Sequence, residues 1–95
     1  MARTPIHPGE VLSDELAELG ISATQLAKAL GVPPNRVTQI IAGKRAITAD
    51  TALRLGKWFK TGPRLWLNLQ QSYDLDTTEQ AIKTDLKSIK PRHAA

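Results

Sequence analysis

The sequence predicts an all-α fold of five short helices with an additional helical segment at the C-terminus. Three observations lead there. Apolar residues recur at spacings of three and four, Gly and Pro divide the chain into short segments, and no useful stretch alternates apolar with polar residues as a half-buried strand does. Ninety-five residues allow a single compact core.

The first helix opens at Pro8, whose fixed φ suits an initial helical position. Val11, Leu12, Leu16 and Leu19 form its apolar stripe, Asp14, Glu15 and Glu18 fall outside it, and Gly20 can close it in a left-handed cap. The second has the clearest local signature. Ser22 and Gln25 form a capping box, Ile21 and Leu26 the matching hydrophobic staple, and the helix runs from Ala23 to Leu30 before Gly31.

Pro34 starts a third helix that reaches Ala42 before Gly43. At 100° per residue Val37, Ile40 and Ile41 share one side, while Asn35, Thr38, Gln39 and Ala42 lie opposite with Arg36 on the flank. A fourth helix has Thr48 as N-cap, Asp50 in its first turn, and Ala49, Ala52, Leu53, Gly56 and Phe59 as a packing face. A fifth begins at Pro63 and carries Leu65, Trp66, Leu67, Leu69 and Tyr73.

Beyond Asp74 the composition turns polar. Asp76 with Glu79 resembles an N-cap pair, Glu79 and Lys83 form a favourable i,i+4 pair, and Ile82, Leu86 and Ile89 recur at i, i+4, i+7. This divides the chain into a helix-turn-helix domain over residues 1–75 and a C-terminal helical extension over 76–95, its tail from Pro91 to Ala95 expected to be disordered.

Composition limits the chemistry. There is no cysteine, so disulfides, thiolate nucleophiles and thiolate metal sites are excluded, and a small core must be held by packing or by a second chain. His7 and His93 lie at opposite ends without a second His or Cys at helical spacing, so no metal or cofactor is expected, and His7 reads as a helix-start residue. The carboxylates suit caps and solvated faces, and no catalytic constellation is present. No apolar run is long enough to span a membrane, and MARTPIHPGE has no apolar stretch after its Arg, so a cytoplasmic location is expected.

The net charge of +4 is unevenly spread. One base faces four acids from Met1 to Leu19, whereas seven bases face Asp50 alone from Gly20 to Lys60. A basic middle segment suits a polyanionic partner. Two short helices joined by a tight Gly-containing turn, the second with an outward polar face, follow the helix-turn-helix plan, in which the second helix enters the major groove.

The candidate base-reading residues are Asn35, Arg36, Thr38 and Gln39: Asn and Gln can pair with an adenine edge, Arg with guanine, and Thr offers a hydroxyl and a methyl. Candidate phosphate contacts are Ser22 and Thr24 at the start of the second helix, and Lys44 and Arg45 after the third. The same pattern fits an α-hairpin in a small bundle with a merely solvated polar face, and the residues alone leave both readings open.

The segments HPGEVL, LAKALGVPPNRVTQIIAGKRAITADTALRL and PRLWLNLQQSYDL resemble the HigA/VapI-type antitoxins, a branch of the Xre/Cro-like helix-turn-helix family. The resemblance covers about Ile6 to Leu75. It implies a five-helix Xre/λ-repressor-like domain, a homodimer on a palindromic operator in double-stranded DNA, repression of the protein's own operon, and neutralisation of a co-encoded RelE-like ribonuclease toxin. It also implies base contacts at the positions matching Asn35, Arg36, Thr38 and Gln39 and phosphate approach at those matching Ser22, Thr24, Lys44 and Arg45. Lys60 and Gly62 depart from it, standing where the family more often has Gly and Ser. Alternatives are a stand-alone Xre-type repressor and a protein-only toxin inhibitor without DNA affinity.

Leu65, Trp66, Leu67 and Leu69 surround more than one side of a short helix, more than a small core can shelter. They are the expected dimer interface, with Ile82, Leu86 and Ile89 as a supplement. A two-fold contact there would set two recognition helices about 34 Å apart, one turn of DNA.

Overall fold

The computed structural model describes residues 4–93, which form six helices and no strand. The helices are α1 Pro8–Leu19, α2 Ala23–Leu30, α3 Pro34–Ile41, α4 Ala49–Phe59, α5 Arg64–Ala81 and α6 Lys83–Ser88. Met1, Ala2 and Arg3 of the opening segment and Ala94 and Ala95 of the expected disordered tail lie outside the described residues.

Local capping sets most boundaries. Gln25 Oε1 accepts the Ser22 N–H at 2.7 Å and Ser22 Oγ accepts the Gln25 N–H at 3.1 Å, completing the capping box of α2. At α1 the cap is His7. Its Nδ1 accepts the Gly9 N–H at 2.9 Å, Glu10 Oε2 accepts the His7 N–H at 3.2 Å, and the ring meets Tyr73 edge-on at 4.8 Å. Gly20 and Gly31 close α1 and α2 in left-handed caps, and Thr48 caps α4.

Leu12, Leu16, Leu26, Leu30, Val37, Ile40, Ile47, Leu55 and Trp66 form the buried core with Ala27 and Ala52. Each fully buried aliphatic side chain stabilises the fold by about 1.5–3 kcal/mol. Two helix contacts are so close that only glycine fits. A Cβ on Gly9 would stand 1.9 Å from the Ile40 carbonyl oxygen, and one on Gly56 would stand 2.3 Å from the Gly62 carbonyl carbon.

Several expectations need correction. Leu19 is 52% exposed, and α4 buries Thr51, Ala52, Leu55 and Gly56 while Ala49 is exposed and Leu53 is 60% exposed. The turn at Gly62 and Pro63 docks on Gly56, and the side of α4 that turns inward carries Leu55 instead of Leu53. No N-cap forms at Asp76. Neither Pro nor Gly lies between Pro63 and Pro91, so α5 continues to Ala81 through the expected boundary between 75 and 76. Within it the Thr77 hydroxyl donates to the Tyr73 carbonyl at 2.9 Å, satisfying itself inside the helix.

Trp66 belongs to the protomer's own core at 1% exposure and stacks obliquely on Phe59, which meets Trp58 edge-on. Its indole Nε1 is buried without a hydrogen-bond partner among the described residues. It therefore has no surface to offer a second chain. Leu67 and Leu69 are half-buried against the core, and Leu65 is exposed.

α6 packs on the end of α5, and every described residue from Thr78 onward is exposed. The molecule measures 53 × 26 × 21 Å with a radius of gyration of 16.5 Å, against about 12 Å for a compact chain of this length. The extra length is this C-terminal arm. No described helix is long and apolar enough to cross a membrane.

Candidate nucleic-acid interface

The site is assembled around α3. Val37 and Ile40 anchor it in the core, Gly31 in the left-handed region turns the chain out of α2, and Pro34 enters α3 in a preset conformation. The opposite side then faces solvent. Asn35, Thr38 and Ala42 are exposed and Gln39 is half-buried, so amide and hydroxyl groups stand together on the outer surface of a rigidly seated helix.

Candidate phosphate contacts lie at the start of α2 and in the turn after α3. Thr24 is exposed in the first turn of α2, where helical geometry leaves the Ala23 and Thr24 N–H groups without intrahelical acceptors. Ser22 is exposed as well. Its Oγ accepts in the cap, and its hydroxyl hydrogen remains available to donate. Beyond α3, Gly43 adopts φ 75° and the Gly43 and Lys44 N–H groups donate to the Ile40 and Gln39 carbonyls at 3.0 and 2.9 Å. This wrapped end leaves Lys44 exposed and Arg45 half-exposed.

Two interactions that hold the site were not read from the sequence. Gln70, buried on α5, accepts the Ile47 N–H through Oε1 at 2.8 Å and donates through Nε2 to Asp74 at 3.0 Å. This strut fixes the loop that carries Lys44 and Arg45. Its sequence signal was phase: Gln70 lies four residues after buried Trp66, on the inward side of α5.

The second interaction centres on Asp50 at the start of α4. Its Oδ1 accepts from Arg36 Nη1 at 2.7 Å and from Arg54 Nε at 2.8 Å, and Arg54 Nη1 also donates to the Leu30 carbonyl at 2.7 Å. One carboxylate thus links α3 to α4, and Arg54 extends the link to the C-terminus of α2. The Arg54 hydrogen bond, supplemented by Arg36, holds the Asp50 carboxyl below its ordinary value. Asp50 and Arg54 form a favourable i,i+4 pair that the sequence does display, whereas Arg36 and Asp50 are 14 residues apart. Arg36 therefore differs from its neighbours on α3: its guanidinium is tethered at the flank.

Among the described residues no three His, Asp or Glu side chains converge as a metal ion would require. An open surface concavity of about 500 Å³ is lined by Ala29, Leu30, Arg54, Lys57 and Trp58.

Comparison with known proteins agrees with this architecture. A helix-turn-helix family model matches residues 12–72. Virulence-associated protein I of Dichelobacter nodosus is 53% identical over 76 residues, covering 79% of this chain and 70% of that protein. An addiction module antidote protein of a HigA family from Coxiella burnetii superposes with a TM-score of 0.92 at 51% identity, covering 95% of this chain and all of that one. The Pseudomonas aeruginosa antitoxin HigA, solved with the higBA promoter, superposes with a TM-score of 0.91 at 43% identity over 95% of this chain and all of that one. The fold, the outward polar face of α3 and these likenesses together establish that the chain belongs to the HigA family of Xre-like helix-turn-helix proteins.

Proposed function

We propose that this protein is the antitoxin of a type II toxin–antitoxin module, a dimer that binds its own operator, represses its operon and neutralises a co-encoded RelE-like ribonuclease. The observation carrying the DNA half is α3. Its Val37 and Ile40 side is locked into the core while Asn35, Thr38 and Gln39 project together on the other, so a helix of major-groove dimensions presents amide and hydroxyl groups on a rigid mount. Thr24, Ser22, Lys44 and Arg45 flank it where backbone phosphates would run. The promoter bound to the Pseudomonas relative supports the same use of the fold here.

Asn35, Thr38 and Gln39 read base edges, and Arg36 reads from the flank where Asp50 holds it. Lys44 and Arg45 neutralise phosphates. Repression follows because a dimer on a promoter-proximal palindrome excludes polymerase, and toxin neutralisation rests on kinship with HigA antitoxins.

A gel-shift titration against the DNA upstream of the gene, with a scrambled duplex as control, tests the first half. Specific binding should exceed non-specific binding by about 10³-fold or more and fall steeply with salt. Equal affinity for both duplexes would refute it. Co-expression with the neighbouring reading frame tests the second half: growth arrest by that frame alone, relieved by this chain, is the expected result, and no relief refutes the antitoxin role.

A further inference from the structure

We infer that Arg54, which lies outside the recognition helix, is a positioning residue for DNA sequence preference: it holds Asp50, and through it Arg36, across the turn between α2 and α3. This rests on the proposal above that α3 reads base edges.

No side chain caps the start of α3. Its N-cap is Pro33, and Gly31 has already turned the chain out of α2 at φ 74°. The tie across the turn comes from α4 instead, where Arg54 presents two donors fixed in one plane. Nη1 donates to the Leu30 carbonyl at 2.7 Å, one of the last carbonyls of α2, which helical geometry leaves without an intrahelical donor. Nε donates to Asp50 Oδ1 at 2.8 Å, and the same oxygen accepts from Arg36 Nη1 at 2.7 Å. Leu30 stands just before the turn and Arg36 in the first turn of α3 beyond it, so Arg54 and Asp50 together clasp both sides. The fit is close: a Cβ on Gly31, inside the turn, would stand 3.4 Å from Arg54 Nη1.

Asp50 alone would be a poor anchor. Its side chain is 57% exposed, and an exposed ion pair between free side chains holds its geometry weakly. Arg54 removes that freedom, because it is fastened to the backbone of α2 at one end and springs from the next turn of the helix that carries Asp50. Its hydrogen bond is also the largest cause that keeps the Asp50 carboxyl below its ordinary value, ahead of Arg36. The dependence therefore runs from the Leu30 carbonyl through Arg54 and Asp50 to Arg36. A guanidinium distinguishes guanine by two aligned hydrogen bonds, so the direction in which Arg36 leaves α3 decides whether it can read a base at all. The concavity that Arg54 lines with Ala29, Leu30, Lys57 and Trp58 includes no residue of α3, so Arg54 acts on the reading face through Asp50.

Arg54→Lys in the full-length chain tests this, because it keeps the positive charge and loses the planar fork. The ratio of affinities for operator and scrambled duplexes, read by gel shift at fixed salt, should fall at least about threefold, while affinity for scrambled DNA stays as in wild type. Partial unfolding weakens both complexes equally, so a merely stabilising role for Arg54 would leave this ratio unmoved. In an Asp50→Asn background, Arg54→Lys should lower the ratio no further, since both changes break one chain of contacts.

A wild-type ratio in Arg54→Lys overturns the proposal. So does an equal loss on both duplexes with a shallower salt dependence, which would make Arg54 a phosphate contact. A double variant whose losses multiply also overturns it, because Arg54 would then act by a route that bypasses Asp50. Arg36→Ala, run alongside, separates the two levels: an unchanged ratio there refutes base reading by Arg36 itself and takes the proposal with it.

Discussion

Arg36 and Asp50 are joined by a 2.7 Å ion pair that ties the flank of α3 to the first turn of α4. The pair fixes which way the Arg36 guanidinium leaves the helix, and it sets a negative charge beside the surface proposed to meet DNA. Asp50→Asn removes that charge and loosens Arg36. Affinity for scrambled DNA should rise, while the preference for the operator over scrambled DNA should fall roughly fivefold. Parallel gel shifts on the two duplexes measure this. An unchanged ratio would show that Arg36 reads no base.

The same pair has a pH signature. Asp50 titrates lower in the folded state than its ordinary value of 3.8, chiefly through the Arg54 hydrogen bond. Its stabilising contribution is therefore complete above the unfolded value and is lost as pH falls through the lower folded one. The urea midpoints of wild type and Asp50→Asn should differ at pH 7 and converge below about pH 4. A constant gap across that range contradicts this assignment.

Lys60 caps α4 with φ 63°, a left-handed conformation that costs a side-chain-bearing residue about 1–2 kcal/mol. Glycine carries no such cost but loses more freedom on folding. Lys60→Gly should thus stabilise the protein by about 0.5–1 kcal/mol and raise the melting temperature by about 2–6 °C. Thermal denaturation checks it, and a lowered melting point would mean that the lysine side chain makes a compensating contact.

Gly9 and Gly20 are separated by the kind of constraint each meets. Gly9→Ala forces a methyl into the Ile40 carbonyl and should cost at least about 3 kcal/mol, since α1 and α3 must move apart. Gly20→Ala meets nothing within 4 Å and suffers only its φ of 69°, about 1 kcal/mol. Chemical denaturation of the two variants should rank them in that order.

Gln70→Leu keeps the size of the side chain near that of glutamine but leaves the Ile47 N–H without its acceptor. The expected loss of stability is about 1–3 kcal/mol. Freed from its anchor, the loop with Lys44 and Arg45 should also bind all DNA sequences more weakly. Equal binding by a folded variant would show that the loop holds its shape without the strut.

The features legible in the sequence are those whose causes lie within a few residues. The Ser22–Gln25 box, the glycine caps at Gly20 and Gly31 and the Thr48 cap each depend on neighbours three or four positions away. The polar face of α3 was legible for the same reason, as periodicity alone separates Asn35 and Thr38 from Val37 and Ile40. What escaped depends on distant partners. Arg36 with Asp50 spans 14 residues and Gln70 with Ile47 spans 23; helical phase turns Gln70 inward, but no local pattern names the partner in either pair.

The choice of Leu53 over Leu55 failed because both suit a helical stripe with Ala52 and Gly56, and only packing against the other helices distinguishes them. Asp76 misled because an acid followed by Glu79 looks like a cap in any helix, whereas only a break in the chain makes it one.

The contrast between the two indoles equips the protein with its own optical reporters. Trp66, enclosed and without a polar partner for its N–H among the described residues, should emit at short wavelength until the core opens. Trp58, 38% exposed on α4 and in ring contact with Phe59, should emit further to the red and respond to quenchers in solution. Replacing either one by Phe leaves a single indole: one follows the global unfolding of the interior, the other follows whatever settles on the outer surface of α4.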